Sequence, residues 1–206
     1  MSPRRPDLPS LDREDLAGDP IAQFSAWWED ASDVPLRDAM TLSTIDHDDR
    51  PDARMVLLKG FGDGGFRFFT NYESAKAAQL DGAGQAALIV YWRELDRQVR
   101  VRGQVERLGA EASDEYFASR PRDSQLGAWA SPQSRSLRDR AELDSRLNEV
   151  KERFGQDGEV PRPQHWGGYV VRHEIVEFWQ GQVGRLHDRF AYRRTDDGWQ
   201  IERLGP

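Results

Sequence analysis

The sequence predicts a mainly β protein in which an antiparallel barrel carries peripheral helices. Three observations predict this class. Several segments alternate apolar and polar residues as strands do, short turns join most of them as hairpins, and strands and helices lack the regular alternation of parallel α/β folds. With 206 residues, the chain is long enough for one such domain with a substantial core.

Helices are predicted from their end signals and from apolar residues at helical spacing. Asp19 followed by Pro20 is typical of a helix N-terminus, and Phe24, Trp27 and Trp28 follow at spacings that place them on one side. This pattern predicts a helix through about Asp30. Further helices are predicted at 74–80, with Ser74 as its cap, at 111–119 and at 137–154.

Strands are predicted at 39–46, 53–59, 66–71, 86–92, 97–108 and 175–179, with terminal strands beginning at Trp166 and a returning strand from Leu186. Gly60, Gly62 and Gly65 have the spacing of a dinucleotide-binding fingerprint. That motif requires a helix after the glycines, but the residues that follow are strand-like. A hairpin turn at 63–64 explains these glycines better.

The chain is predicted to form a single domain over 19–206, preceded by a flexible segment at 1–18 that is rich in Pro, Asp and Arg. Residues 120–134 are predicted to form a loop or a short helix dense in hydrogen-bonding groups. Residues 155–163 read as a linker before the terminal strands.

Composition excludes several classes of function. The net charge of −7 argues against a general nucleic-acid binder or a protein of anionic membranes. The absence of cysteine excludes disulfides, thiolate zinc sites and cysteine nucleophiles. No apolar run approaches membrane-spanning length and the N-terminus lacks a signal-peptide core, so a cytoplasmic location is expected.

Metal and hydrolase chemistry are not supported. The histidines do not stand at a recognised metal-ligand spacing, so we predict no metal site. A GxSxG nucleophile motif is absent, and His187 and Asp188 are sequence neighbours that a strand would point to opposite faces.

The segment 177–190 combines aromatic residues, a Gly-containing turn, two arginines and a histidine. On the predicted returning strand, Arg185, His187 and Arg189 would share one face and form an anion site with a titratable group. The alternative is a solvated strand edge whose charges pair with Asp188 and Glu177.

Other groups suited to anions are scattered along the chain. Arg54 and Lys59 are five residues apart on a predicted strand, so they would lie on opposite faces and serve two different anions. Thr70, Ser74 and Lys76 can hold a phosphate at a helix N-terminus. Neutral groups suited to the edge of a heteroaromatic ring are Gln98, Gln133 and Ser134.

Several blocks carry a resemblance to a known family. They are RMVLLKG (54–60), FFTN (68–71), RQVRV (97–101), YFASRPRDSQLGAWASPQS (116–134), WGGY (166–169), and EFWQG with RLHDRF (177–190). From about Asp19 to Pro206 the chain resembles pyridoxine/pyridoxamine 5′-phosphate oxidases. The resemblance implies an FMN-binding split β-barrel of antiparallel Greek-key type and a homodimer with FMN at the subunit interface. The implied reaction oxidises pyridoxamine and pyridoxine 5′-phosphates to pyridoxal 5′-phosphate, with O₂ as electron acceptor and H₂O₂ as product.

The resemblance also implies roles for individual residues. The implied FMN contacts are Arg54, Met55, Val56, Leu57, Leu58, Lys59, Phe69, Thr70, Lys76, Gln98, Gln133, Ser134, Trp179 and Arg189. The implied contacts to the substrate phosphate are Lys59, Tyr116, Arg120 and Ser124. Arg185 and His187 would face the pyridine ring as the catalytic pair, acting as orienting and electrostatic groups.

Two departures and two alternatives accompany the resemblance. The N-terminal Arg-x-x-Tyr-like segment that family members use as a substrate lid is not evident, because Pro6 follows Arg4 and Arg5 where a tyrosine is expected. The family usually has arginine where this chain has Ala75, which removes one expected cation at the FMN phosphate. One alternative is a split-barrel flavoenzyme for another heterocycle, such as a phenazine precursor, although RPRDSQ and RLHDR favour a pyridoxal-type substrate. The other alternative is a carrier that binds flavin or pyridoxal phosphate without catalysis.

Overall fold

The computed structural model describes residues 9–206, and residues 1–8 lie outside the described residues. The helices are α1 Pro20–Asp30, α2 Ala75–Ala83, α3 Ala110–Ser119, α4 Arg122–Ala130 and α5 Arg140–Phe154. The strands are β1 Ala39–Ile45, β2 Pro51–Leu57, β3 Phe66–Asn71, β4 Gln85–Trp92, β5 Arg97–Arg107, β6 Trp166–Gln180, β7 Asp188–Thr195 and β8 Gly198–Leu204.

Across the described residues, the strands form one eight-stranded antiparallel sheet in the order β2-β1-β4-β5-β6-β7-β8, and β3 pairs with β6. The long strand β6 holds the sheet together: its first residues pair with β3, and its later residues pair with β5 and β7. The predicted fold class, mainly β with peripheral helices, is confirmed.

The main core lies between the sheet and α1. The Asp19 side chain caps α1 by accepting hydrogen bonds from the backbone N–H groups of Ile21 at 2.7 Å and Ala22 at 3.1 Å. This start orients α1 so that Phe24 and Trp27 are buried against the sheet. Apolar burial of this kind is the main stabilising contribution to the fold.

A second, smaller core lies beneath the helices that follow β5. It is formed by Phe117, Leu126, Val160 and Trp166, and by α5 residues that are only partly buried. Helix α4 forms inside the stretch predicted as a loop or short helix. This core therefore joins α3 and α4 to the first residue of β6.

The segment predicted to be flexible is packed where the structure describes it. Leu11 and Leu16 are buried in the main core, and the Leu11 N–H donates to Asp188 Oδ2 at 3.1 Å. These contacts tie Leu11 and Leu16 to the main core. The rest of that prediction lies outside the described residues.

Two strand boundaries differ from prediction in ways that affect the site. Strand β2 ends at Leu57, so Lys59 lies beyond it, and β7 begins at Asp188, so Arg185 lies in a 3₁₀ turn. Gly184 and Arg185 have φ values of 69° and 66°, which a strand cannot accommodate. The prediction that Arg185, His187 and Arg189 share one strand face is therefore wrong.

Gly65 shows why the 60–65 glycines do not form a dinucleotide-binding motif. They precede β3, and Gly65 has a φ of 110°. A Cβ there would lie 2.3 Å from the Val171 carbonyl oxygen, so only glycine fits this close approach to β6. Among the described helices, none is both long and apolar enough to cross a membrane.

Candidate active site

A cavity of about 270 Å³ lies where β2, β3, α2 and α3 meet. We call it the cationic cavity, and it is lined by Met55, Val56, Leu57, Lys59, Phe69, Thr70, Lys76, Tyr116, Arg120, Gln133 and Trp166. All of these except Trp166 are residues that the family resemblance implied for cofactor or substrate. The fold thus brings them together from segments far apart in sequence.

One end of the cationic cavity lies at the start of α2. Lys76 Nζ donates to Gln133 Oε1 at 2.6 Å and to Ser74 Oγ at 3.3 Å, and the Thr70 hydroxyl donates to the same Gln133 oxygen at 3.0 Å. Burial and, to a smaller extent, the nearby Arg54 lower the pKa of Lys76. The partners of Lys76 in these bonds are neutral, so its charge remains available to an anion.

Ser74 occupies the predicted cap position of α2 but does not cap it. Its hydroxyl donates to the Asn71 carbonyl oxygen at 2.7 Å, and its side chain makes no cap hydrogen bond. The first N–H groups of α2 therefore lack a side-chain cap from Ser74. Such a helix start favours a negatively charged group.

Aromatic rings form another part of the cavity lining. Phe69 stacks on Tyr116 at 4.0 Å between centroids and on Trp166 at 5.5 Å. Trp166 was missed as a site residue, although the quoted WGGY block contains it. Its signal was weak because an aromatic residue at the start of a strand is more often part of a core.

Arg120 lies against this aromatic wall. Its Cζ is 4.6 Å from the Trp166 ring centroid, and its buried Nη1 has no hydrogen-bond partner among the described residues. Burial lowers the pKa of Arg120. A buried guanidinium nitrogen without a partner is unfavourable, and an anion in the cavity would satisfy it. Ser124 lines a smaller adjoining cavity of about 200 Å³, which Arg120 also lines.

Lys59 lies at the rim of the cationic cavity, just past the end of β2. Its Nζ forms an ion pair with Asp38 Oδ2 at 2.6 Å. Lys59 also lines a second cavity of about 520 Å³ with Trp28, Val34, Leu36, Leu58 and Phe61, which we call the apolar cavity. The side chain of Leu58 is buried.

Arg54 is held away from the cationic cavity, which it does not line. Its guanidinium donates to Asp52 Oδ2 at 2.6 Å, Gln79 Oε1 at 2.7 Å and the Thr44 hydroxyl. Gln79 also donates to Asp52, which with Arg54 lowers the pKa of that carboxyl. The predicted placement of Arg54 and Lys59 on opposite faces of one strand is wrong because β2 ends at Leu57, although only Lys59 of the two lines the cavity. Ser134 is exposed next to Gln133, with a φ of 68°.

The remaining implied site residues form a second group on β5, β6 and the turn before β7. We call Gln98, Trp179, Arg185, His187 and Arg189 the hairpin cluster. The sheet register pairs Gln98 with Trp179, and Trp179 with Arg189. Strands β1 and β4 lie between β2 and β5 in the sheet, and no member of the hairpin cluster lines the cationic cavity of the same chain.

Charges in and beside the hairpin cluster are paired within the chain. The buried Glu177 accepts from Arg189 at 2.9 Å and from Arg100 at 3.1 Å, and Arg189 Nη1 also donates to the Gly205 carbonyl oxygen. Asp188 pairs with Arg203 at 2.8 Å. The alternative prediction of charge pairing is therefore confirmed for Arg189 with Glu177.

His187 is oriented by its neighbours. Its ring lies 4.6 Å from the Trp179 ring, and its Nδ1 accepts from the Gln182 N–H at 3.0 Å. A neutral His187 therefore carries its proton on Nε2. Arg185 is exposed on the turn beside it.

Comparisons with known proteins identify the family of this chain. A model described as pyridoxamine 5′-phosphate oxidase matches residues 30–154. Another, described as the pyridoxine 5′-phosphate oxidase C-terminal dimerisation region, matches residues 166–206. A pyridoxine/pyridoxamine 5′-phosphate oxidase of Salinibacter ruber is 54% identical over 200 residues, covering 95% of this chain and 93% of the relative. One from Cupriavidus pinatubonensis is 51% identical over 202 residues, covering 97% and 94%.

Solved structures show the same fold. PhzG from Burkholderia lata, in complex with tetrahydrophenazine-1-carboxylic acid, has a TM-score of 0.88 at 29% identity and covers 95% of this chain and 98% of its own. An FMN-binding protein related to pyridoxamine 5′-phosphate oxidase from Nostoc punctiforme has a TM-score of 0.73 at 16% identity, covering 96% and 100%.

The eight-stranded sheet and the matching solved structures place the chain in the split-barrel class. The chain belongs to the pyridoxamine 5′-phosphate oxidase family, and the matches support an oxidase of that family. The match to the dimerisation region indicates a homodimer.

Proposed function

We propose that this protein oxidises pyridoxamine 5′-phosphate and pyridoxine 5′-phosphate to pyridoxal 5′-phosphate, using FMN and O₂ and releasing H₂O₂. The observation that carries the proposal is Arg120, whose buried Nη1 finds no partner in residues 9–206 and lies beside stacked aromatic rings. A phosphate would satisfy this nitrogen, and the rings suit a flat heterocycle.

The residues of the cationic cavity fit FMN and a phosphorylated substrate together. Lys76, Thr70 and Gln133 at the start of α2 would hold the FMN phosphate, while Arg120, Tyr116 and Lys59 would hold the substrate phosphate. Both groups line the same cavity, and Gln133 and Arg120 also line the smaller adjoining one. FMN would supply the redox chemistry, because a flavin can accept a hydride from the substrate C4′ carbon and pass the electrons to O₂.

A second copy of the chain would complete the site. The cavity of one chain is smaller than the roughly 300–1,000 Å³ of most ligand pockets. All members of the hairpin cluster except Gln98 lie in the C-terminal dimerisation region, and none lines the cavity of its own chain. We therefore infer that Arg185 and His187 of the second copy face the substrate ring.

In this arrangement the protein binds and orients the substrate. Arg185 would oppose negative charge near the ring, and His187 Nε2 would donate a hydrogen bond to it. Hydride transfer requires no strong base at carbon, so these residues act by position and charge. For pyridoxamine 5′-phosphate, loss of the hydride and of a nitrogen-bound proton leaves an imine, which water hydrolyses to the aldehyde and ammonia.

The test is product formation from pyridoxamine 5′-phosphate in air, with purified protein titrated with FMN. We expect pyridoxal 5′-phosphate and H₂O₂ in equal amounts, rising with added FMN. No product at saturating FMN, with flavin bound, would overturn the proposal.

A second candidate is oxidation of a reduced phenazine, since PhzG shares the fold with tetrahydrophenazine-1-carboxylic acid bound. The same protein should be assayed with that compound. Turnover of the phenazine alone would favour this candidate. Binding of pyridoxal 5′-phosphate without turnover of any substrate would indicate a carrier.

A further inference from the structure

Asp38 lies at the boundary between the cationic cavity and the apolar cavity. Lys59 lines both cavities, and Asp38 lines the apolar one. The Asp38 Oδ2 to Lys59 Nζ distance is 2.6 Å, and each side chain is 26% exposed. The family resemblance assigned no role to Asp38.

The backbone fixes the Asp38 carboxylate next to Lys59. The Asp38 carbonyl oxygen accepts from the Leu58 N–H at 2.8 Å, and the Ala39 N–H donates to the Leu36 carbonyl oxygen at 2.8 Å. The neighbouring Arg37 carbonyl oxygen accepts from Trp92 Nε1 at 3.0 Å. These bonds hold the Asp38 backbone beside Lys59, so the carboxylate can part from the ammonium only by a rotation of its side chain.

This pairing distinguishes Lys59 from the other cations of the cationic cavity. Within the described chain, Lys76 and Arg120 form no ion pair with a carboxylate, whereas Lys59 does. An anion that reaches Lys59 must share its ammonium with Asp38. The anion must also approach a fixed negative charge.

We propose that Asp38 limits the affinity of the site for the phosphate group of substrate and product. Its carboxylate competes with that phosphate for the Lys59 ammonium and repels the phosphate charge. This inference rests on the proposed function, which takes Lys59 as a phosphate ligand. Asp38 thereby favours release of the phosphorylated product.

The test compares Asp38→Asn with the unmodified protein, both as full-length chains saturated with FMN. Isothermal titration calorimetry with pyridoxal 5′-phosphate and with inorganic phosphate measures the affinity. We expect Asp38→Asn to bind both about two- to fivefold more tightly, the range for a partly exposed ion pair. In turnover, KM for the phosphorylated substrate should fall by the same factor while kcat does not rise.

Three controls isolate the effect. Asp38→Glu keeps the charge and should bind like the unmodified protein. Glu106→Gln makes the same change in net charge by breaking the Arg172 ion pair at 2.9 Å, away from both cavities, and should leave affinity unchanged. Pyridoxal, which lacks the phosphate, should bind equally to all variants. Asp38→Ser provides a second neutral variant if Asp38→Asn does not fold.

Unchanged or weaker phosphate binding in the neutral Asp38 variants would overturn the inference, as would an equal gain for pyridoxal. Calorimetry separates this result from the proposed function. If the protein binds pyridoxal 5′-phosphate but does not oxidise the substrate, the proposed function fails while the affinity shift still decides the role of Asp38. Absence of any phosphate binding in the unmodified protein would overturn both.

Discussion

The cationic cavity and the hairpin cluster are both rich in positive charge, but they use it differently. In the cavity, Lys76 bonds to neutral groups and Arg120 leaves a buried nitrogen without a partner among the described residues, while Lys59 alone pairs with a carboxylate, that of Asp38. In the hairpin cluster, Arg189 is neutralised by the buried Glu177, which also pairs with Arg100. Unpaired cations are available to a ligand, whereas paired cations mainly hold strands together.

The comparison indicates a division of work between two copies of the chain. The cavity already presents cationic side chains to an anion, but its volume is only about 270 Å³. The hairpin cluster places Arg185 on an exposed turn and holds His187 against Trp179. If the two regions meet across the dimer, the cavity supplies the cations for phosphate groups, and the hairpin cluster supplies the groups that face the substrate ring.

The largest expected effect comes from mixed dimers. Arg120→Ala and Arg185→Ala homodimers should each lose most turnover of pyridoxamine 5′-phosphate, and Arg185→Ala should retain FMN. A heterodimer of the two variants carries both defects in one site and none in the other. If the site joins the cavity of one copy to the cluster of the other, the heterodimer should regain about half of the normal activity.

The measurement uses two different affinity tags to purify the heterodimer before the oxidase assay. Heterodimers as inactive as the two parents would place both regions in the same chain's site. Equal loss of FMN and of turnover in Arg185→Ala would contradict its assignment to the substrate ring.

The next effect concerns Arg120 alone. Arg120→Met should raise KM for the phosphorylated substrate about ten- to a hundredfold, because a charge-assisted hydrogen bond contributes roughly 1.5–3 kcal/mol. Stability should not fall, since Nη1 makes no bond in the described structure. Steady-state kinetics and thermal unfolding measure the two quantities.

Arg122, two residues further along the chain at the start of α4, provides the matched control. Its guanidinium donates to the carbonyl oxygens of Gly158 at 2.6 Å and Gly155 at 2.7 Å. Arg122→Met should therefore lower Tm and leave KM nearly unchanged. If Arg120→Met lowered Tm without changing KM and Arg122→Met raised KM without changing Tm, the distinction between unpaired and paired cations would be wrong.

A smaller effect is expected from restoring a cation at the start of α2. Ala75 is exposed at the first position of that helix, so arginine fits without repacking. Ala75→Arg should tighten FMN binding about tenfold, because it adds a charge near the site proposed for the FMN phosphate. Fluorescence titration with FMN measures the change.

Ala78→Arg makes the same charge change on an exposed position of the same helix, outside the cationic cavity. It should leave FMN affinity unchanged. If both variants bound FMN more tightly by the same factor, the gain would come from net charge and not from the position of the arginine.

The smallest expected effect lies on β6, which joins the two regions. His173 is 2% exposed, its Nδ1 has no partner among the described residues, and its ring stacks on Trp199. Burial, with a smaller contribution from Arg194, lowers its pKa below the ordinary value of 6.5. The unfolded chain thus binds the proton more readily, so the free energy of unfolding should fall as pH drops below about 6.5.

Chemical denaturation between pH 7.5 and 5.5 measures this slope. His173→Phe retains an aromatic ring and should show a shallower loss of stability on acidification. His47→Asn, at an exposed turn, should match the unmodified protein. An unchanged slope in His173→Phe would assign the acid sensitivity to other groups.

Periodicity and end signals predicted much of the fold. Asp19-Pro20 marked α1, alternation marked the strands, and the strand after Gly65 excluded a dinucleotide-binding motif. These features depend on a few neighbouring residues, so the local sequence contains them. A turn was predicted around 181–184, but Arg185 was placed on the returning strand because the run RLHDRF also alternates; its positive φ and the start of β7 at Asp188 place it in the turn.

The sequence by itself determined which cations and aromatic residues the protein has, and the quoted blocks were enough to indicate the family. The tertiary structure alone decided which charges are neutralised. Arg189 meets Glu177 and Lys59 meets Asp38, whereas Arg120 Nη1 meets no partner in the described chain. The physical reason is that ion pairing depends on separations of a few ångströms between segments that only folding brings together.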